Sequence, residues 1–245
     1  MRLADATWTD ADAAETDLAL LPVGSTEQHG PHAPLSTDAI TATAVAEAGL
    51  ERYDGRAVVA PTVPVGISDE HRQFTGTLWV APDTFRDYVR EVVASLASHG
   101  WDRVVIVNGH GGNTDALREV AAAVTRAETA YCVSFTWFDA VEDHGQDMGH
   151  GGPLETAMVR AHRPELVRED RIEAAGAGGS DRWGDWVAGV NLATDVAEFS
   201  DNGVVGDPDD GDADRGRTLT DLAGDALAEL LSAVADRAAA RPAHK

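Results

Sequence analysis

The sequence predicts an α/β fold with a largely parallel sheet, and two observations support this. Short apolar runs alternate with longer amphipathic or alanine-rich stretches along the chain, as strands and helices do in such folds. With 245 residues, 43% of them hydrophobic, the chain can bury one large core. Neither an internal repeat nor a linker divides it, so residues 1–245 are predicted to form a single domain.

The first part of the chain supplies two predicted strands and one predicted helix. The apolar run Leu18–Val23 breaks at Gly24 and predicts a buried strand. The alanine-rich stretch Thr37–Arg52 predicts a helix, and residues 57–60 predict a second short strand. Residues 61–83 contain three prolines and two glycines, so we expect a long loop there.

A helix, a strand and a glycine-rich loop are predicted next. Asp83 is the expected N-cap of a helix that ends near Gly100. The predicted buried face of this helix carries Phe85, Tyr88, Val89, Val92 and Val93. Residues 103–107 predict a strand, and residues 108–113 form the loop that follows it.

The second half of the chain is predicted to be mainly helical. The expected elements are helices at 114–127, 154–162 and 218–237 and a strand at 131–135. Pro164 cannot continue the helix that precedes it. Residues 139–153 are polar and rich in glycine, and residues 174–216 are expected to be irregular.

Charge and composition exclude several function classes. The net charge of -23, from 42 acidic and 19 basic residues, repels phosphate backbones and disfavours nucleic acid as a partner. Such a surface suits high internal salt, so we expect a halophilic, haloarchaeal host and a cytoplasmic location. No apolar run reaches the roughly 18 residues of a membrane span, and no apolar signal core is found, so no membrane association is expected. Cys132 is the only cysteine, which excludes an internal disulfide and a cysteine-rich zinc site.

Three short glycine-flanked stretches contain side chains of the metal-binding type. They contribute Glu27 and His29 with Asp38 close behind, then His110, then His150 and Glu155. Histidine and carboxylate together suit zinc, manganese or iron. The first two stretches directly follow predicted strands, and ligands of open α/β sheets bind at the carboxyl ends of strands. If these two strands are neighbours, the side chains after them meet at one edge of the sheet.

Other interpretations stay open at this point. A single loop histidine is more often a hydrogen-bonding turn residue than a metal ligand, and we interpret His32, His71 and His144 as surface or supporting residues. The loop 108–113 could hold a phosphate at a helix N-terminus, which would make the chain a non-catalytic phosphate-binding protein. It lacks the lysine of a P-loop and the G-x-G-x-x-G pattern. In the motif regions, the basic residues that could meet the phosphate of a phosphorylated substrate are Arg72, Arg103 and Arg160.

The same stretches resemble the creatininase family. The likeness lies in Gly-Ser-Thr-Glu-Gln-His-Gly-Pro-His at 24–32, Asn-Gly-His-Gly-Gly-Asn at 108–113, His-Gly-Gly-Pro-Leu-Glu-Thr at 150–156 and Asn-Gly-Val-Val-Gly-Asp-Pro at 202–208. This resemblance implies a three-layer α/β/α domain with a largely parallel sheet, and a homo-oligomer, commonly a hexamer. It also implies an amidohydrolase that uses two divalent metal ions on a small-molecule or short-peptide substrate.

The resemblance further implies a role for each site residue. Glu27, Asp38 and His110 would bind one cation (zinc, manganese or iron), and His29 with the shared Asp38 would bind the other. A water between the cations would attack the substrate carbonyl. His150 matches the position of the general acid that protonates the leaving nitrogen.

Two departures from the creatininase pattern bear on the second metal and on the substrate. Gly112 replaces a glutamate ligand, which favours Glu155 as the carboxylate that completes or orients the second site and so acts in catalysis. Gln146 replaces a tryptophan that closes over the substrate, which argues against creatinine. The Gly-His-Gly-Gly-Asn loop also occurs in a formamidopyrimidine deformylase branch and a mycofactocin precursor peptidase branch, and residues 69–77 resemble the latter. Substrate binding is assigned to Gln146, Asn113 and Trp183.

Overall fold

Four parallel strands form the central sheet, in the order β2-β1-β3-β4. They are β1 (Leu18–Val23), β2 (Val58–Val59), β3 (Arg103–Asn108) and β4 (Tyr131–Thr136). Strands β1 and β3 pair along their whole length, from Leu18 opposite Arg103 to Val23 opposite Asn108. Their carboxyl ends therefore lie side by side. In this computed structural model residues 1–237 are described, apart from the side chains of Glu142 and Gln146.

Helices cover both faces of the sheet, which confirms the predicted three-layer α/β/α fold. One face packs against α3 (Pro82–Ser98) and α4 (Thr114–Arg126), and the other against α2 (Thr37–Arg52), α5 (Pro153–His162) and α7 (Ala213–Ala235). Successive residues of a strand point to opposite faces. Ala19 and Leu21 accordingly lie in the first core, and Leu18 and Leu20 in the second.

Smaller elements complete the described chain. They are α1 (Trp8–Asp12), α6 (Ile172–Ala177) and an antiparallel hairpin of β5 (Trp186–Val187) and β6 (Val190–Asn191). Residues 174–216 were predicted to be irregular, but α6 overlaps the start of this stretch and the hairpin lies within it. Among residues 1–237, no helix combines the length and the apolar character that crossing a bilayer requires.

The start of α3 differs from the prediction. Ala81 occupies the N-cap and Pro82 the first helical position, where its fixed φ suits a helix and its missing N–H has no helical partner to lose. Asp83 is therefore not the cap, although its carboxylate lies in the first turn. Tyr88 is half exposed rather than buried, while Phe85 and Val89 lie in the core as expected.

The start of α7 was also predicted wrongly, by five residues. The Asp212 side chain accepts a hydrogen bond from the Arg215 backbone N–H and begins the helix at Ala213 rather than at 218. The predicted strand 57–60 is shortened to Val58–Val59, because only these residues pair with β1.

Candidate metal centre

The carboxyl ends of β1 and β3 bring the first two motifs together. Glu27 and His29 follow β1, and His110 follows β3. The chain then turns back, with the Glu27 N–H donating to the Leu35 carbonyl at 3.0 Å. This turn places Asp38, in the first turn of α2, beside Glu27. The four ionisable side chains are almost fully buried, none more than 5% exposed.

Asp38 lies between two histidines and presents one carboxylate oxygen to each. Its Oδ2 is 3.4 Å from His110 Nδ1, which is also 3.1 Å from Glu27 Oε1. Its Oδ1 is 3.1 Å from His29 Nε2, which is also 3.5 Å from Glu155 Oε1. The potential ligand atoms of Glu27, Asp38 and His110 all lie within 4.8 Å of one another. That spacing suits an ion bound at about 2.0–2.2 Å from each ligand.

Several of these buried atoms have no hydrogen-bond partner among the described residues. They are both carboxylate oxygens of Glu27, both of Asp38, and Nε2 of His29. Burying a carboxylate without a compensating partner is costly, and most buried polar groups have one. A divalent cation would compensate all five atoms, and a mixed imidazole and carboxylate donor set suits zinc, manganese or iron. The residues present thus fit the metals that the sequence implies.

The other ring nitrogen of each histidine is held by a backbone carbonyl. His29 Nδ1 donates to Glu27 O at 3.1 Å, His110 Nε2 to Ile67 O at 2.6 Å, and His150 Nε2 to Gln28 O at 2.5 Å. A carbonyl oxygen can only accept, so these nitrogens carry the proton. In the neutral form of each ring, the nitrogen that faces the carboxylates then has a free lone pair, which is the tautomer that a metal ligand needs.

The charges of the cluster favour a cation at its centre. Burial alone would lower the pKa of His110, but Glu27 and Asp38 outweigh it and hold this pKa at about 10. Burial is likewise outweighed at His29, where Glu155 and Asp38 raise the pKa well above its ordinary value. Burial, with Glu27 beside it, raises the pKa of Asp38 to about 6. Metal ions and protons therefore compete for the same atoms.

Glu155, in the first turn of α5, completes the His29 side of the cluster. Its Oε2 accepts the Gly151 N–H at 2.6 Å, so Oε1 is aimed at His29. The positive charge on His29 outweighs burial and lowers the pKa of Glu155 to about 2. Position 112 cannot supply this carboxylate in place of Glu155, because even a Cβ there would collide with Ile67 O and would lie 2.6 Å from His110 Nε2. A glutamate side chain in place of Gly112 would not fit without movement.

His71 also lies in the centre, although the sequence assigned it no role beyond that of a surface or supporting residue. It ends the 3-10 turn Asp69–His71, is 1% exposed, and has its Nε2 3.6 Å from Glu27 Oε1. The only sequence signal for a role of His71 was the stretch 69–77, which we interpreted as a likeness to the mycofactocin precursor peptidase branch. Of the other two histidines interpreted in the same way, His32 is buried against Thr156, next to Glu155, and His144 is exposed.

The three residues assigned to substrate binding fare differently. The Trp183 ring meets His71 and His150 edge to face, with centroids 6.3 and 6.2 Å apart, so it forms a wall of the centre. Asn113 is fully buried, accepts from Ile67 N and donates to Gly24 O, so this geometry supports a structural role and gives no support to substrate contact. The side chain of Gln146 lies outside the described part of the chain.

The arginines that could have met a phosphate are engaged elsewhere. Arg72 pairs with Asp195 and Arg160 with Glu169, each at 2.6 Å. Arg103 lies at the opposite, amino end of β3. None of the three is directed to the loop 108–113, so the phosphate-binding alternative gains no support.

Comparison with known proteins identifies the relatives of this chain. Residues 4–231 match the creatininase (creatinine amidohydrolase) family model. A mycofactocin precursor peptide peptidase from Mycobacterium ulcerans is 38% identical over 207 residues, covering 82% of this chain and 78% of the relative. A creatinine amidohydrolase from Pseudomonas putida is 31% identical over 194 residues, covering 68% and 73%. A solved manganese creatininase superposes with a TM-score of 0.80 at 24% identity, covering 96% and 99%.

Proposed function

Because this chain belongs to the creatininase family, as its motifs predicted, we propose that it is a metal-dependent hydrolase that cleaves a C–N amide bond. The observation that carries this proposal is the pair of buried carboxylates, Glu27 and Asp38, whose oxygens have no hydrogen-bond partner among the described residues. Both are fully enclosed, and Asp38 faces histidines on two sides. A cluster that is costly to bury is expected where it serves function.

The residues divide into two cation sites that share one aspartate. The first comprises Glu27, Asp38 and His110, and the second comprises His29, Asp38 and Glu155. When bound, two such cations lower the pKa of a water toward 7 and polarise a carbonyl oxygen. The metals of choice are zinc, manganese or iron, and the manganese form of the related creatininase supports manganese among them.

His150 is suited to move the proton in this reaction. Its Nε2–H is held by the Gln28 carbonyl, so Nδ1 presents its lone pair toward Glu27 Oε1, 3.7 Å away. Burial lowers the pKa of His150 to about 4, so the ring is neutral near pH 7 and Nδ1 can accept a proton from the attacking water. The same atom then returns the proton to the leaving nitrogen. The lowered pKa makes that return downhill.

We propose further that the substrate is a short peptide rather than creatinine. The 38% identical relative is a peptide peptidase. By the family resemblance, Gln146 replaces the tryptophan expected to close over creatinine. Trp183 leaves 38% of its surface exposed beside His71 and His150 and offers an aromatic wall for a side chain. A hexameric assembly, a halophilic host, a cytoplasmic location and a single domain over 1–245 all stay predictions.

Elemental analysis combined with an activity screen tests the proposal. We expect the purified protein to contain divalent metal and Asp38→Ala to lose it with the fold retained, because both sites use this carboxylate. The matched control is Asp17→Ala, which removes an exposed aspartate that directly precedes β1. The metal-loaded enzyme is screened against short peptides, creatinine and the formamidopyrimidine nucleotide in molar potassium chloride. Unchanged metal content in Asp38→Ala would reject the assignment.

A further inference from the structure

His71 stacks on His150 inside the centre, but the two rings are held differently. Their centroids are 4.2 Å apart with an interplanar angle of 28°. The Nδ1 of His71 contacts the side-chain Nε2 of Gln28 at 2.8 Å, whereas the Nε2 of His150 contacts the backbone carbonyl of the same residue. One residue therefore orients both histidines, and the direction of each hydrogen bond decides which nitrogen carries the proton.

The orientation of the Gln28 amide is fixed by its two other contacts. Its Oε1 accepts the Gly30 N–H at 2.8 Å, and its Nε2 donates to the Gly203 carbonyl at 3.0 Å. Exchanging the two amide atoms would set oxygen against oxygen at Gly203 and N–H against N–H at Gly30. The atom next to His71 is therefore the amide nitrogen, which can only donate.

It follows that His71 Nδ1 is unprotonated and that the proton of the ring is at Nε2. This N–H is buried, has no hydrogen-bond partner among the described residues, and faces the centre. Glu27 Oε1 at 3.6 Å is too far for a hydrogen bond. A nitrogen that carries a proton has no lone pair for a metal, so the group of Glu27, His71 and His150 is not a third cation site even though its atoms are close.

We propose that His71 is a catalytic hydrogen-bond donor, whose Nε2–H stabilises the negative charge that develops on the amide oxygen when water adds to the carbonyl carbon. This inference rests on the proposed function. No bond to His71 forms or breaks, because losing the proton would leave an imidazolate while Gln28 still donates to Nδ1. His150, with its lone pair at Nδ1, moves the proton, and His71 supplies a neutral, fixed dipole.

The fourth family segment, 202–208, gains a role from this arrangement. The Gly203 carbonyl holds the Gln28 amide, and Gly203 has a φ of +84°, a conformation that favours glycine. A Cβ at this position would lie 2.1 Å from Gln28 Oε1. Two residues on, the backbone of Val205 exchanges both of its hydrogen bonds with His150, at 3.0 and 2.8 Å. The segment thus positions both histidines.

A pair of substitutions at position 71 separates a donor from a metal ligand. The amide nitrogen of glutamine can take the place of a histidine Nε2–H, whereas asparagine is too short. We expect His71→Asn to lower kcat roughly 10²–10³-fold, the cost of one oxyanion donor, with KM and metal content close to those of the wild type. We expect His71→Gln to retain kcat within about tenfold. Loss of metal in both variants, or equal kcat values in the two, would overturn the inference.

Nitrogen-15 NMR of histidine-labelled protein tests the tautomer without any activity. The expected spectrum of the metal-loaded wild type, assigned by the signals missing in His71→Gln, has His71 protonated at Nε2 and bare at Nδ1. Protonation at Nδ1, or metal bound to Nε2, refutes the assignment. Gly203→Ala, which displaces Gln28, is expected to abolish the Nε2–H preference and to lower kcat with metal retained. If the wild type cleaves no amide, the proposed function fails, while the spectrum still decides the state of His71.

Discussion

Charged side chains are paired differently at the two ends of the β1–β3 pair. At the amino end, Asp17 precedes β1 and Arg103 begins β3, and their side chains pair at 2.9 Å. Arg103 also donates to the carbonyls of Val234 and Arg237 at 3.1 and 2.8 Å. At the carboxyl end of the same two strands, Glu27 meets His110 and Asp38, and within residues 1–237 no arginine pairs with these carboxylates.

The difference separates structural charge from functional charge. The amino end satisfies its ions with partners from the protein and ties the sheet to the end of α7. The carboxyl end concentrates carboxylates in a buried place, where burial and then the neighbouring Glu27 raise the pKa of Asp38. A chain selected for stability alone would not keep such a cluster, so we attribute it to cation binding.

Among the substitutions that test this difference between the two ends, we expect the largest effect on activity at His150. Replacing His150 with alanine removes the proton carrier but leaves Glu27, Asp38 and His110 in place. We expect activity to fall roughly 10²-fold or more, within the range for general acid and base catalysis, with metal content unchanged. Steady-state kinetics on metal-loaded enzyme and elemental analysis measure the two quantities.

A matched control for this variant is His162→Ala, which removes a histidine of α5 that bonds Thr220 at 2.7 Å, away from the cluster. This change should leave kcat close to the wild-type value. A His150→Ala enzyme that kept full activity would place proton transfer on another group.

Most of the residues that meet at the carboxyl end could be predicted from the sequence, because each lies close in sequence to the end of a strand. Glu27 and His110 each follow a strand, and in a parallel sheet neighbouring strands end at the same edge. The pairing of β1 with β3 was the only long-range assumption, and the structure has it in register throughout. Asp38 came with them because the turn after Glu27 is short.

His71 could not be placed in the same way. It lies in a long loop with no hydrophobic period, and the contact that brings it in joins residues 43 apart through the Gln28 side chain. The wrongly predicted helix cap has a different cause, since Pro82 and Asp83 both give helix-start signals and the proline takes the first position. The bonds of Asn113 to Ile67 and Gly24 join separate loops, so the sequence that assigned Asn113 to substrate binding could not reveal them.

At the amino end, replacing Arg103 with methionine is expected to reduce stability without touching the centre. The change removes the donor to Asp17 and to the Arg237 carbonyl, and one of the donors to the Val234 carbonyl. Losing hydrogen bonds of a charged group costs about 1–3 kcal/mol. Denaturant unfolding measures the loss, and metal content serves as the internal control. A fall in bound metal would mean that the two ends are coupled, contrary to the contrast drawn above.

At the carboxyl end, replacing Asp38 with asparagine should increase the free energy of unfolding of metal-free protein kept in chelator, which is the opposite of the effect expected for Arg103. The pKa of Asp38 is raised to about 6, above its ordinary value of 3.8, so the folded protein holds this proton more tightly than the unfolded chain does. The contribution of Asp38 to the stability of the wild type therefore falls as pH rises from about 4 through 6 and stays low above that. Asparagine cannot ionise, so the variant should be more stable than the wild type at pH 8, by on the order of 1–3 kcal/mol. The two should approach each other near pH 4. Unfolding at both pH values decides the matter, because an aspartate that stabilised the chelated protein at pH 8 would be a structural charge like Arg103, and the carboxyl end would need no cation to explain it.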